Sequence, residues 1–349
     1  MMSYKLPYFL KIENGIINSV VDILINNDIN INNTLLISDE VIYDIYGKKV
    51  LEQISDNYNV SKRIIGKNSI QEVSDIVNFI INEDVTCIIG IGGGRPLDVS
   101  KYSASMTKRP FISIPTTLAN DGLASPIAVL EDSNKKTKSL GCSVPSGIIL
   151  DIDIIKSCPI SLVKAGIGDT LSNLTAIYDW ELDNRDNNGE INDFAKLLSS
   201  ISVHSLINNN NKDIRSDEFI KLLSESLILS GMAMEIAGSS RPCSGSEHLF
   251  SHALDQINDE MKNLHGLQVA LGAVISAYLQ KQDYKKMIKY LRDYDIDVNP
   301  ITLEIDRKKF INAFNFAKST RPNRYTILNK INLDENEISN LYDVLCMEV

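Results

Sequence analysis

At 349 residues the chain exceeds a comfortable single core, which predicts two domains. Hydrophobic residues make up 44% and charged residues 23%, the balance of a globular protein rather than a disordered one. A net charge of −10 excludes the broadly basic surface that nucleic acid requires, so the expected partner is a small molecule.

The opening "MMSYKLPYFLKIENG" lacks the apolar run of a signal peptide. "NTLLISD" (33–39) reads as a buried strand, followed by a helical "EVIYDIYGKKVLEQI". "SKRIIGK" reads as a second strand, and "SIQEVSDIVNFIINED" has helical spacing with Ser69 as its cap. "VTCIIGIGGG" is a third strand running into a helix start at "RPLDVSKY"; "PFISIPTT" and "SGIILDIDII" are further strands. Such alternation predicts an α/β domain with a mostly parallel sheet, residues 1–158. The basic cluster "NKKTK" (134–138) suits a loop or a small anionic ligand.

Beyond about Ile155 the β-branched runs fade and nearly every segment has helical spacing, predicting an all-helical domain over 159–349. "FIKLLSESLILSGMAMEIAG" reads as a long helix stopped at Gly238, and "LQVALGAVISAYLQKQ" as a fully buried one. No stretch reaches the roughly 18 uninterrupted apolar residues of a membrane helix. Five cysteines stand far apart with no CxxC spacing, as expected of reduced thiols in a cytoplasmic protein.

Three motifs carry chemistry. In "IIGIGGGRPLDVSKY", glycines let the backbone turn tightly beside a phosphate, and the N–H groups at a helix start bind its charge. The spacing is not GxGxxG, so a plain strand-to-helix turn with Asp98 as surface charge explains it equally well. In "ISIPTTLANDGLASP", Thr116, Thr117, Asn120, Asp121 and Ser125 follow a strand's C-terminal edge, where α/β sheets bind ligands. An ordinary polar loop is the bland alternative.

The third is the histidine window. Three of the four histidines, His248, His252 and His265, fall within 18 residues, and only His204 stands apart. Ser244 and Glu247 have capping-box spacing, which would start a helix and place His248 and His252 on one face. His265 would open the next helix, and Asp169 in "AGIGDTLSN" would begin another. Helix N-termini keep imidazole neutral, and one carboxylate with two imidazoles and an open position suits a catalytic divalent ion. Spacing leaves open which two histidines bind metal, and surface histidines with an N-capping Asp169 are the alternative.

"GIGGGRPLDVSKY", "PTTLANDGLASP", "AGIGDTLSNLTAIYDW", "SSRPCSGSEHLFSHALD" and "LHG" resemble, in this order, the sn-glycerol-1-phosphate dehydrogenases. These belong to the superfamily of iron-containing alcohol dehydrogenases, glycerol dehydrogenases and dehydroquinate synthases. The resemblance spans residues 85–275. It implies that Gly92, Gly93, Gly94, Arg95, Pro96, Leu97 and Asp98, then Thr116, Thr117, Leu118, Ala119 and Ser125, hold NAD(H) or NADP(H). Asp39 would contact the adenine ribose. Asp169, His248 and His265 would ligate Zn²⁺, with Asp169 also near substrate, while Asp121 and His252 would contact substrate and serve catalysis. The implied reaction is reversible reduction of dihydroxyacetone phosphate to sn-glycerol 1-phosphate, in phospholipid metabolism, by a homo-oligomer.

A glycerol dehydrogenase acting on the unphosphorylated substrate is the nearest rival. A phosphate-binding cation separates the two, and Arg241 and Lys262 are the candidates. A dehydroquinate-synthase-like lyase would carry a glutamate where Asp169 stands and a glycine-lysine stretch in place of "LASPIAV".

Overall fold

Runs of Val, Ile and Leu concentrate in the first half of the chain, and in the computed structural model they become strands. The structure describes residues 5–134, 136–257 and 263–348. Lys262, Lys135 of the basic cluster and the first four residues of the opening stretch lie outside them. Two units divide at Pro159 and Ile160.

The first unit contains β1 (Phe9–Glu13), β2 (Asn33–Ser38), β3 (Asn59–Ile64), β4 (Cys87–Gly92), β5 (Phe111–Pro115), β6 (Ile127–Glu131), β7 (Thr137–Gly141) and β8 (Gly147–Asp151). Six strands form a parallel sheet in the order β1-β8-β5-β4-β2-β3, and β6 with β7 makes a separate antiparallel hairpin. The central strands β4, β5 and β8 are buried along their whole length, as a sheet covered on both faces requires. Helices α1 (Val20–Asn26), α2 (Glu40–Ile42), α3 (Lys48–Ser55), α4 (Ile70–Asn82), α5 (Gly94–Thr107) and α6 (Ile152–Ser157) complete the unit, a π-helical turn joining α2 to α3. Ser69 caps α4, its hydroxyl accepting from Glu72 N at 3.1 Å.

Three features differ from the reading of the sequence. Edge strand β1 was not foreseen, because its "FLKIE" mixes polar with apolar residues. The hairpin was missed because β7, "TKSLG", is largely polar and exposed, which left the apolar "IAVLE" of β6 without a visible partner. "SGIILDIDII" is a strand only to Asp151, whose carboxylate accepts from Asp153 N at 2.9 Å and turns the remainder into α6.

The described residues of the second unit contain helices and no strand. They are α7 (Ile160–Leu171), α8 (Asn173–Asn187), α9 (Asp193–Ile207), α10 (Asp217–Ala237), α11 (Ser246–Ile257), α12 (His265–Leu279), α13 (Tyr284–Asp293), α14 (Arg307–Thr320) and α15 (Glu335–Glu348). Gly238 ends α10 in the left-handed conformation, as read from the sequence. Helix α12 packs against α7, α11 and α13, and α11 also against α14. No described helix is long and apolar enough to cross a membrane.

Candidate metal centre and cofactor loop

Close helix crossings assemble the metal centre. Gly168 and Gly266 meet where α7 and α12 touch: a Cβ on Gly266 would stand 2.1 Å from the Ala165 carbonyl oxygen. Only glycine permits that approach, and it brings the next residue of α7, Asp169, beside the residue opening α12, His265. His248, in the first turn of α11, completes the set, with Nε2 3.6 Å from Asp169 Oδ1. One ligand atom from each of Asp169, His248 and His265 lies within 4.8 Å of the others.

Asp169 does not begin a helix, as the sequence had suggested. It sits in the last turn of α7, because the chain breaks at Ser172. A buried carboxylate at a helix's negative end favours a positive charge beside it. The capping box does not form either. Helix α11 starts two residues after Ser244; Asp179 from α8 accepts from Ser246 N at 2.7 Å, and Glu247 Oε1 accepts from Gly245 N. Glu247 is fully buried and serves the histidine as well: Oε1 faces His248 Nδ1 at 3.0 Å, while Oε2 accepts from Thr175 Oγ1 at 3.1 Å.

Hydrogen bonding then selects the tautomers. With Nδ1–H donated to Glu247, a neutral His248 would turn its Nε2 lone pair to the side of Asp169, where an ion would sit. Ser251 Oγ donates to Gln268 Oε1 at 2.8 Å, so it accepts from His265 Nδ1 at 3.1 Å and leaves His265 Nε2 unprotonated. Two presented imidazole nitrogens, one carboxylate and a carboxylate behind the first imidazole are a donor set that fits a divalent ion. Burial opposes charge on His248, yet the Asp169 and Glu247 carboxylates raise its pKa to about 9 in the metal-free chain. Burial and His248 push His265 down.

His252 lies one helical turn beyond His248, their ring centroids 6.2 Å apart, and stacks on His265 at 5.8 Å. Burial, then the Arg321 charge, hold its pKa well below 6.5, so it is neutral at physiological pH. Arg321 Nη2 stands 3.3 Å from His252 Nε2, an arrangement that leaves the imidazole proton on Nδ1. His204, by contrast, is an exposed residue of α9.

In the first unit, strand order reverses between β2 and β4, the switch point where parallel sheets bind ligands. Gly92 pairs with Pro115, so the glycine turn and Thr116 leave the sheet at one level. Gly92 has φ of +147°, and a Cβ there would stand 2.6 Å from Pro96 Cγ. Gly93 caps α5 without a side chain, and a Cβ on Gly94 would meet nothing within 4 Å. Thr116 Oγ1 is buried with no hydrogen-bond partner among the described residues, and Asp39 Oδ2 lies beside Gly92. Free helix-start amides, an open backbone cradle and an orphaned hydroxyl fit a dinucleotide phosphate.

The residues expected here play unequal parts. Leu97 and Leu118 bury their side chains and offer only backbone, whereas Arg95 is exposed. Asp39 caps α2 through Oδ1, accepting from Ile42 N at 3.0 Å, with Oδ2 left toward the turn. Asp98 is not a free surface charge: Oδ2 accepts from Val129 N at 3.1 Å and Oδ1 faces Lys101 at 3.4 Å. Burial raises its pKa. Lys101, which the sequence reading passed over, is 1% exposed and donates to Gly122 O at 2.6 Å and Ile127 O at 2.7 Å. It thereby pins the loop carrying Asp121 and Ser125 to α5. Glu247, Ser251, Asp179, Arg321 and Arg324 also went unassigned, and only the S-x-x-E spacing had drawn attention to one of them. Cys87, Cys158 and Cys243 are buried and Cys142 and Cys346 half-buried, and none of the five is in a disulfide among the described residues.

Known proteins resemble this chain. Residues 11–159 match the family model of the iron-containing alcohol dehydrogenases. A protein of Thermococcus sibiricus named glycerol-1-phosphate dehydrogenase, NAD(P)+, is 39% identical over 301 residues, covering 85% of each chain. Its namesake from Thermococcus kodakarensis is 40% identical and covers 82% of each chain. Among solved structures, a glycerol dehydrogenase from Schizosaccharomyces pombe superposes with a TM-score of 0.82 at 18% identity, covering 100% of this chain and 91% of its own. A probable glycerol dehydrogenase from Sinorhizobium meliloti gives 0.79 at 18% identity, covering 99% and 98%. These two likenesses establish the fold alone.

Proposed function

The chain belongs to the glycerol-1-phosphate dehydrogenase family, and from that premise we propose that it reduces dihydroxyacetone phosphate to sn-glycerol 1-phosphate, reversibly, with NADH or NADPH. The observation that carries the reading is the convergence of Asp169, His248 and His265, with His252 alongside. When bound, the nicotinamide supplies the hydride and the divalent ion, which we take to be Zn²⁺, the positive charge that stabilises a developing alkoxide.

The chain's own residues do the positioning. Gly93, Gly94 and Thr116 bind the cofactor's phosphates, with Asp39 directed to its ribose and Asp121 and Ser125 held ready by Lys101. Asp169, His248 and His265 hold the ion, and Glu247 and Ser251 keep both imidazoles oriented toward it. His252 is neutral and stores no proton at physiological pH; through Nδ1–H it orients the ketone by hydrogen bonding.

Metal removal tests this reading. Protein stripped by chelator and verified metal-free is expected to lose ketone reduction and to regain it with Zn²⁺, while Asp169→Asn regains little. Full turnover by metal-free protein would contradict the proposal.

A further inference from the structure

Resting on the phosphorylated-ketone reading above, we propose that Arg321 and Arg324 form the seat of the substrate's phosphate and select phosphorylated over free dihydroxyacetone. Arg321 extends from just beyond α14 to within 3.3 Å of His252 Nε2, and its Nη1 donates to Ser240 Oγ at 3.1 Å. Arg324 Nη2 donates to the same hydroxyl at 2.9 Å, and its Nη1 donates to the Ser244 carbonyl. Ser240 is 7% exposed, so a single buried hydroxyl holds two guanidiniums side by side.

Such a pairing works against itself. Burial, then the charges of Arg321 and Arg241, pull Arg324 down to about 9. Burial lowers Arg321 as well. The donors of Arg324 go to neutral oxygens, and the Glu247 and Asp179 carboxylates nearby offset its charge only in part. Like charges kept together at such cost mark a site that an anion completes. A guanidinium offers parallel N–H groups to phosphate oxygens, and two adjacent ones match a dianion. Ser244, whose carbonyl Arg324 holds, is 6% exposed, and its hydroxyl has no partner among the described residues, leaving a donor for one more ligand oxygen.

Position and rigidity fit the role. In dihydroxyacetone phosphate only a short chain of bonds separates carbonyl from phosphorus, so the phosphate must lie beside the residue that orients the ketone. Arg321 touches that residue, His252. The backbone bearing the pair is tied down at Tyr325, whose carbonyl accepts from Arg241 Nη1 at 3.2 Å, and at Ile327, whose N–H donates to Asp179 at 2.8 Å. Arg241, the candidate taken from sequence, is itself committed to Asp183 at 2.9 Å and acts as an anchor.

Calorimetric titration of the intact protein with inorganic phosphate, alongside steady-state kinetics, tests the seat. Wild type is expected to bind phosphate in competition with dihydroxyacetone phosphate. Arg324→Met should weaken phosphate binding, and lower kcat/KM for dihydroxyacetone phosphate, by about 10- to 100-fold, the loss of a charge-assisted contact. Its kcat/KM for dihydroxyacetone should not fall. Arg321→Lys and Arg324→Lys, which keep the charge and lose the fork, should show intermediate losses and provide the measurement if the methionine variant does not fold. Phosphate binding unchanged in the folded variants, no phosphate binding by wild type, or equal losses on both ketones would overturn the seat. A wild type that binds phosphate through these arginines yet does not turn over dihydroxyacetone phosphate would sustain the seat and refute the reaction.

Discussion

Asp169 and Glu247, against the effect of burial, set the state of His248. In metal-free protein the carboxylates of Glu247 and Asp169 raise that imidazole from 6.5 to about 9, so an incoming ion must displace a proton. Apparent metal affinity is therefore expected to rise by up to about tenfold per pH unit from neutrality and to level off as pH passes the raised value. The raised value also stabilises the metal-free fold below the ordinary histidine pKa, and that contribution is lost as pH climbs through about 9. Glu247→Gln should weaken metal binding by about 10- to 100-fold in a chelator competition; an affinity equal to wild type would remove Glu247 from this role. His252→Ala should raise KM for the ketone by about tenfold, the worth of one hydrogen bond, and unchanged kinetics would contradict its assignment. Much of this was legible in the chain, because histidine is scarce enough here for its clustering to stand out. Glu247 was visible only as a capping residue, since its true partner depends on where α11 begins, and Asp179, far away in sequence, decides that.

At the level of elements, two close approaches carry the account. A Cβ on Gly266 would press on the Ala165 carbonyl of α7 and separate Asp169 from His265. Gly266→Ala is thus expected to destabilise the protein by about 1–3 kcal/mol through overpacking, and to reduce metal affinity as well. An alanine variant with wild-type melting and metal binding would show that the crossing does not position the ligands. In the first unit, Lys101 holds two loop carbonyls and Asp98 in a dry environment. Lys101→Met should cost about 3–5 kcal/mol by leaving the carboxylate uncompensated, measured by denaturant unfolding. A variant as stable as wild type would refute that role. Helices and buried strands could be read from period and apolar runs, as α4, α10 and β4 illustrate. Asp169 was misplaced at a helix start because no glycine or proline marks the break at Ser172. Edge strand β1 escaped because it mixes polar and apolar residues, and the hairpin because its β7 strand, "TKSLG", is largely polar.

Over the whole molecule, an α/β unit and a helical unit divide at Pro159, where the strand-rich pattern stops. The sequence changes character near there because buried parallel strands and helices have different apolar periods. The arginine seat was not: Arg321 and Arg324 lie some 70 residues beyond the histidines, and only folding places a guanidinium 3.3 Å from His252. The central claim is that this chain reduces a phosphorylated ketone at a metal centre. Oxidation of NADH and of NADPH, followed in parallel with dihydroxyacetone phosphate and with dihydroxyacetone, tests it most directly. The account predicts turnover that strongly prefers the phosphorylated ketone and stops on chelation. Preference for free dihydroxyacetone would contradict it.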